Sequence, residues 1–467
     1  MIFSTLTFFI FFAGVLILLA LFKNQNWRKC VLLGSSLIFY GWWDWRFLSL
    51  IAFSTLLDYF AGLGIDRHNN PKTKKLILIL SLCANLGLLG FFKYFNFFID
   101  SANVAFGFMG FNLSTLNIIL PVGISFYTFQ TMSYTIDIYR DKIPAHKNFL
   151  EFAIFVTFFP QLVAGPIVRA SEFLYQFKNQ ILLRWINFKE GGQIFLFGLV
   201  KKILIADRLA FFVDRTFASP DVYNSLTLWL AVITYAIQIY CDFSGYSDMA
   251  IGLGKILGFK FPTNFKMPYL SLSVKEFWTR WHISLSTWLK DYLYIPLGGN
   301  RKGKSRTVIN MFITMLLGGL WHGASWNFVA WGFLHGLGIS VNKLFGNFIK
   351  LPKNKLTAFL SWLVTFVFIL ITWVFFRSRD FGVSLAYLKK MFAFSADGVT
   401  WLYTPLLLIL PIIIIAHLAG KLKNIDVREY LYLNLRTFSG AFVLILVILS
   451  LFFLSVTHPN SFIYFQF

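Results

Sequence analysis

The sequence predicts an all-α, polytopic integral membrane protein in which roughly 10–13 transmembrane helices, with re-entrant or amphipathic helices beside them, surround a central cavity. Three observations lead there. Apolar residues make up 57% of the chain, charged residues only 13%, and the mean hydropathy is +0.67, a balance that excludes an ordinary soluble surface. Apolar runs of about 20 residues, the length a helix needs to cross the hydrocarbon core, recur from end to end. Those runs do not alternate: "LILILSLCANLGLLGFF", Leu76 to Phe92, carries none of the period of a transmembrane β-barrel strand.

In chain order, Met1 to Leu21 lacks the basic start of a cleavable signal peptide and reads as the first span. Lys23, Arg28 and Lys29 follow it, so positive charge places the N-terminus outside. Arg67, Lys72, Lys74 and Lys75 mark the next inner loop, and Asp100 to Asn117, without Lys or Arg, is an outer one. In "FFPQLVAGPIVR", Phe158 to Arg169, the residues Pro160, Gly165 and Pro166 break a helix at membrane depth; such backbone must be shielded by protein or line a cavity. Lys255 to Arg306 carries ten Lys or Arg against Glu276 and Asp291. That inner segment is either a solvated loop touching lipid phosphates or an attractor of an anionic cytosolic donor. Spans near Ala358–Phe376, Leu402–Gly420 and Gly440–Val456 close the chain. Lys421, Lys423, Arg428 and Arg436 mark an inner loop among them and leave the C-terminus outside. Arg377 to Lys390, basic on the outer side of this count, reads as an amphipathic surface helix.

Topology thus accounts for the net charge of +22, and nucleic acid is not an expected partner. Cys30, Cys83 and Cys241 read as packing residues, with neither a disulfide framework nor metal-ligand spacing. No repeat or soluble domain is visible, so residues 1–467 are expected to form one membrane-embedded domain.

Ionisable groups at bilayer depth are costly and point to function. His322 sits in "GGLWHGASWNFVAWGFLHG", where helix, glycine-rich break and helix are expected around Gly318, Gly319 and Gly323. An imidazole there is either a general base or a hydrogen bond across a helix interface. His282 shares a helical stripe with Trp278, Leu285 and Leu289 and points into protein, as a second active-site group or a buried hydrogen bond. Arg301, in the turn "GGNRKG", either contacts phosphates or is solvated. Asp242 and Asp248, six residues apart, fall on different helical faces. They orient a histidine, meet Lys and Arg, or hydrogen-bond between helices with Ser244 and Ser247. His335 reads as structural, and His68, His146, His417 and His458 as loop or interface residues. No metal site is predicted.

These pieces form a larger pattern. "LPVGISFYTFQTMSYTIDIYR", "FFPQLVAGPIVR", "IYCDFSGYSDMAIGLGKILGFKFPTNFKMPY", "EFWTRWHISLSTWLKDYLYIPLGGNRKG", "LWHGASWNFVAWGFLHG" and "FIYFQF" resemble, in order, the membrane-bound O-acyltransferase family. The likeness is to its bacterial branch of polysaccharide O-acetyltransferase membrane subunits, such as those acting on alginate. The resemblance implies that His322 is the signature catalytic histidine and His282 the second active-site polar residue. It implies a thioester donor such as acetyl-CoA as substrate, with no bound cofactor, and a polysaccharide as end acceptor. It also implies a separate extracytoplasmic acetyltransferase or acetyl-carrier partner, in the lipids of a bacterial inner membrane. Ser125, Thr128 and Thr135 lie near one helical face and either line the substrate path or pack helices. D-alanine-transferring relatives share both histidine motifs, so these do not fix the acyl group. An anion transporter, or a lipid or protein acyltransferase of the same family, are the competing readings.

Overall fold

The computed structural model describes residues 1–110, 112–162, 165–348, 354–423, 433–454 and 462–463. Arg428, His458 and the end of the closing motif lie outside them. Among the described residues the protein is helical throughout, with one isolated bridge, Tyr223 to Val399, in place of any sheet. Helices Trp45–Arg67, Pro71–Met109, Ser225–Ile256, Lys355–Arg377 and Thr404–Lys421 are long and apolar enough to cross a membrane, and Leu6–Leu21, Phe149–Leu162 and Phe438–Leu454 are shorter apolar helices. Leu6, Ile10, Leu80, Leu407 and Ile415 stand on outward faces, where only lipid tails make an apolar surface comfortable. This is a multi-pass membrane protein.

The helix starts are local and legible. Thr5, Asn24, Asn70 and Asn148 each accept a backbone N–H with the side chain, Asn70 directly before Pro71, and Asn354 forms a capping box with Thr357. Each satisfies donors that the first turn leaves open.

Packing divides the chain into two compact units, residues 1–195 with 249–262, and residues 196–248 with 263–467. In the first, helices α1 (Leu48–Arg67), α2 (Pro71–Leu89) and α3 (Ile124–Tyr139) pack on one another. Asp58 on α1 accepts from Ser81 Oγ at 2.5 Å and Asn85 Nδ2 at 2.8 Å, both on α2, and Ser54 Oγ donates to Asn85 Oδ1 at 2.7 Å. These buried bonds tie helices that apolar lipid would not itself press together. The broken segment appears as expected: the helix Phe149–Thr157 ends at Phe158, a single turn follows, and Gly165 to Val168 are non-helical and buried in protein.

In the second unit the backbone of α4 (Gly303–His322) approaches that of α5 (Trp326–Phe348). A methyl group on Gly319 would lie 2.2 Å from the Phe328 carbonyl oxygen, and one on Gly332 2.5 Å from that of Met315. The predicted helix, break, helix is present, with close approach at Gly319 and the turn at Gly323, the two roles expected of these glycines. Gly319 stays helical because its role is this close crossing, Gly318 before it faces the Leu289 side chain, and the chain leaves the helix at Gly323, just past His322.

Candidate active site

His322 is the last residue of α4, and this end of the helix aims its ring into the second unit. It is 3% exposed. Around it stand Trp331 at 4.9 Å between ring centroids, Trp321 at 5.1 Å, Phe376 at 5.3 Å and His282 at 6.5 Å. Two histidines forty positions apart in sequence therefore share one aromatic enclosure.

His282 reaches it by a route that helical periodicity does not give. The expected continuous stripe is interrupted: Val274–Arg280 and Ile283–Leu289 are separate helices, and His282 between them adopts φ of 44°. A left-handed residue with a Cβ costs about 1–3 kcal/mol and persists only where its surroundings impose it. Here they do. Lys266 N–H donates to the Arg280 carbonyl at 2.8 Å and Ile283 N–H to the Asn264 carbonyl at 2.9 Å, strapping the preceding loop across the turn. The expectation that His282 points inward holds, since it is fully buried.

Asn264, which the sequence reading did not single out, orients that ring. Its Oδ1 accepts from Ser284 N–H at 3.2 Å and Ser284 Oγ at 2.9 Å, and lies 3.2 Å from His282 Nδ1; its Nδ2 donates to Ser247 Oγ at 3.2 Å. An oxygen so committed to accepting takes the Nδ1 proton too, which makes Nε2 the lone-pair nitrogen. His282 lies outside the five long spans, and burial pushes its imidazole down to about 3, so it is neutral near pH 7. Replacing Asn264 with alanine is expected to lower kcat about 10–100-fold by freeing the ring, with KM little changed. Steady-state kinetics check this, and a wild-type kcat shows that His282 needs no such support.

A cavity of about 970 Å³ in the same unit is lined by Lys275, Lys290, Lys343, Asn300, Trp278 and Met315, among others. Lys343 Nζ donates to Asn300 Oδ1 at 3.1 Å. Burial and the neighbouring Lys275 charge hold Lys343 below its ordinary value. Cations kept near one another favour an anion between them. Arg301 is in the exposed turn beside this lining, to which Asn300 contributes instead.

Asp242 and Asp248 meet lysines, the second of their predicted alternatives. Lys201 and Lys202 are consecutive in a π-helical stretch, Lys201–Ala206. Lys201 Nζ lies 2.5 Å from Asp248 and donates to Ser244 Oγ at 2.9 Å, while Lys202 Nζ is 2.7 Å from Asp242 and 2.8 Å from Asp207. Asp242 Oδ2 also accepts Ile463 N–H at 2.9 Å. Phe462 packs 5.5 Å from Phe243, whose ring is 4.7 Å edge-on from His282. In the first unit, Ser125, Thr128 and Thr135 lie on α3, which is buried on all sides. Ser125 Oγ accepts from Lys93 at 3.3 Å and Thr135 donates to its own helix at Met132.

Among the described residues no group of three His, Cys, Asp or Glu could hold a metal ion.

Comparison with known proteins gives the family. Residues 139–381 match the profile of MBOAT, the membrane-bound O-acyltransferase family. The probable alginate O-acetylase AlgI of Pseudomonas aeruginosa is 44% identical over 405 residues, covering 86% of this chain and 76% of its own. The peptidoglycan O-acetyltransferase of Helicobacter pylori is 41% identical over 406 residues, covering 81% and 76%. A teichoic acid D-alanyltransferase of Streptococcus thermophilus is 28% identical over 284 residues, covering 55% and 68%. With a family match that contains both buried histidines, and relatives of this identity along most of its length, the chain belongs to the membrane-bound O-acyltransferase family and is an O-acyltransferase.

Proposed function

We propose that the protein moves an acetyl group from a cytosolic thioester, such as acetyl-CoA, to a hydroxyl on the outer side of a bacterial cytoplasmic membrane. The acceptor is a polysaccharide, or a separate extracytoplasmic acetyltransferase or carrier that passes the group on. Residues 1–467 act as one domain with both termini outside. The observation that carries the reading is the pairing of His322 and His282 in one buried enclosure, 6.5 Å apart. The names of the Pseudomonas aeruginosa and Helicobacter pylori relatives support acetyl over D-alanyl transfer and a glycan as acceptor.

In this reading His322 takes the hydroxyl proton as the oxygen attacks the thioester carbonyl carbon. The tetrahedral adduct collapses, the C–S bond breaks, and the proton passes to the departing sulfur, leaving an ester and a thiol. His282, neutral and held by Asn264, orients the acyl carbonyl or assists the thiolate. The lysine-lined cavity receives the anionic part of the donor. The test is reconstitution in proteoliposomes with acetyl-labelled thioester and an acceptor glycan. Label in alkali-labile ester on the glycan is the expected result, and label entering the lumen without ester formation would point to transport instead.

Replacing Lys275, Lys290 and Lys343 together with glutamine is expected to raise KM for an anionic thioester about tenfold at low salt. The kcat should stay within about twofold, and the difference should shrink as salt is raised. An unchanged KM at low ionic strength removes this cavity from the donor path.

A further inference from the structure

The cavity does not itself touch His322, and what stands between them is specific. Met311, Met315, Gly318 and His322 follow one another at helical spacing along one stripe of α4, and the two methionines line the cavity. His322 is thus the end of a wall that begins in the cavity. Gly318 leaves that wall bare for one turn, and the space a methyl group would take there is bounded by Leu289 Cδ1 at 3.1 Å. Leu289 also lines the cavity. The other boundary is Trp278, which faces the cavity and stands edge-on to Trp331 at 5.5 Å, with Trp331 in turn edge-on to His322 at 4.9 Å. Trp278 thus stands on the cavity side of Trp331, the indole that packs against the catalytic ring, and beside the bare turn at Gly318.

They are not held alike. Trp331 is fully buried between His322 and His335, the latter at 4.5 Å. Trp278 is 8% exposed, with its Nε1–H donating to His335 Nδ1 at 3.1 Å. One neutral hydrogen bond and a few edge contacts fix its position against an open cavity, into which an indole can turn. We propose that Trp278 is the movable wall between this cavity and His322, and that its bulk limits the length of acyl chain that reaches the histidine. The His335 bond holds the wall closed. A two-carbon acyl group passes a small displacement of the indole, whereas a six-carbon chain needs the volume the indole occupies. This rests on the acyl-transfer reading above and adds the acyl-length determinant to it.

The experiment compares kcat/KM for acetyl and hexanoyl thioesters in the wild-type protein, W278A and W278L. In both variants the hexanoyl-to-acetyl ratio is expected to rise about tenfold or more, since each additional methylene accommodated is a recognisable increment of binding. Acetyl transfer should persist in both. A ratio that stays at the wild-type value in a variant that still transfers acetyl overturns the proposal. So does loss of transfer from both thioesters in W278A and W278L alike, because a wall that only closes a passage is not needed for the chemistry. Should W278A fail to yield folded protein, W278L, which keeps an apolar filling, decides alone. Wild-type protein that transfers neither acyl group would instead reject the acyl-transfer reading, and that arm is read before any variant.

Discussion

Alanine in place of His322 is expected to lower kcat for acetyl transfer about 10²–10⁴-fold, the span attributable to a positioned general base. Membrane insertion and abundance should be retained. The ring lies at the end of α4 in a cage made by Trp321, Trp331 and Phe376. Trp321 and Trp331 belong to helices whose backbones are already fixed by the Gly319 and Gly332 crossing, so losing the imidazole leaves a hole without removing a support. H322Q, which keeps most of the volume and a hydrogen-bonding tip but cannot take up a proton, separates chemistry from packing. It should be as inactive as H322A and closer to wild type in thermal unfolding. Wild-type turnover in either variant would reject the role.

The second large effect is on stability. Lys202→Ala is expected to cost about 3–5 kcal/mol, the usual consequence of removing one partner from a buried ionic group. Lys202 and both its carboxylates, Asp207 and Asp242, have side chains only 1% exposed. Without the ammonium two acids face each other in a medium that solvates neither. Asp242→Asn should cost less, because Lys202 keeps Asp207 and the amide oxygen still accepts from Ile463. Thermal unfolding of purified protein orders the three. A Lys202→Ala melting curve superposed on wild type would mean that the cluster is neutralised by other means.

How these parts relate to the sequence differs from one to the next. The two histidines were legible because an imidazole among tryptophans at membrane depth has few reasons to be there, and the motifs around them are specific. The buried break was legible because Gly165 and Pro166 do not continue a helix, although Pro160 itself sits in the short helical turn Phe159–Leu162. Asn264 was not, since its importance comes from the turn it straps, eighteen positions away from His282. Helical periodicity carried His282 to the right interior but through the wrong backbone, as nothing local announces a left-handed residue inside an amphipathic run. Asp242 and Asp248 looked unrelated because six residues separate them. Their partners, Lys201 and Lys202, are consecutive residues forty or more positions away, a long-range match that no window of sequence records. Lys343, outside the basic segment, joins Lys275 and Lys290 for the same reason.

The backbone at position 282 has an implication for redesign. A residue there must tolerate positive φ, which β-branched and bulky side chains resist but asparagine and aspartate accept. The turn thus filters replacements by shape before chemistry is considered, and apart from glycine the few that pass are polar. An engineer wishing to swap the imidazole for an amide or a carboxylate would inherit the same scaffold, already bent to deliver it.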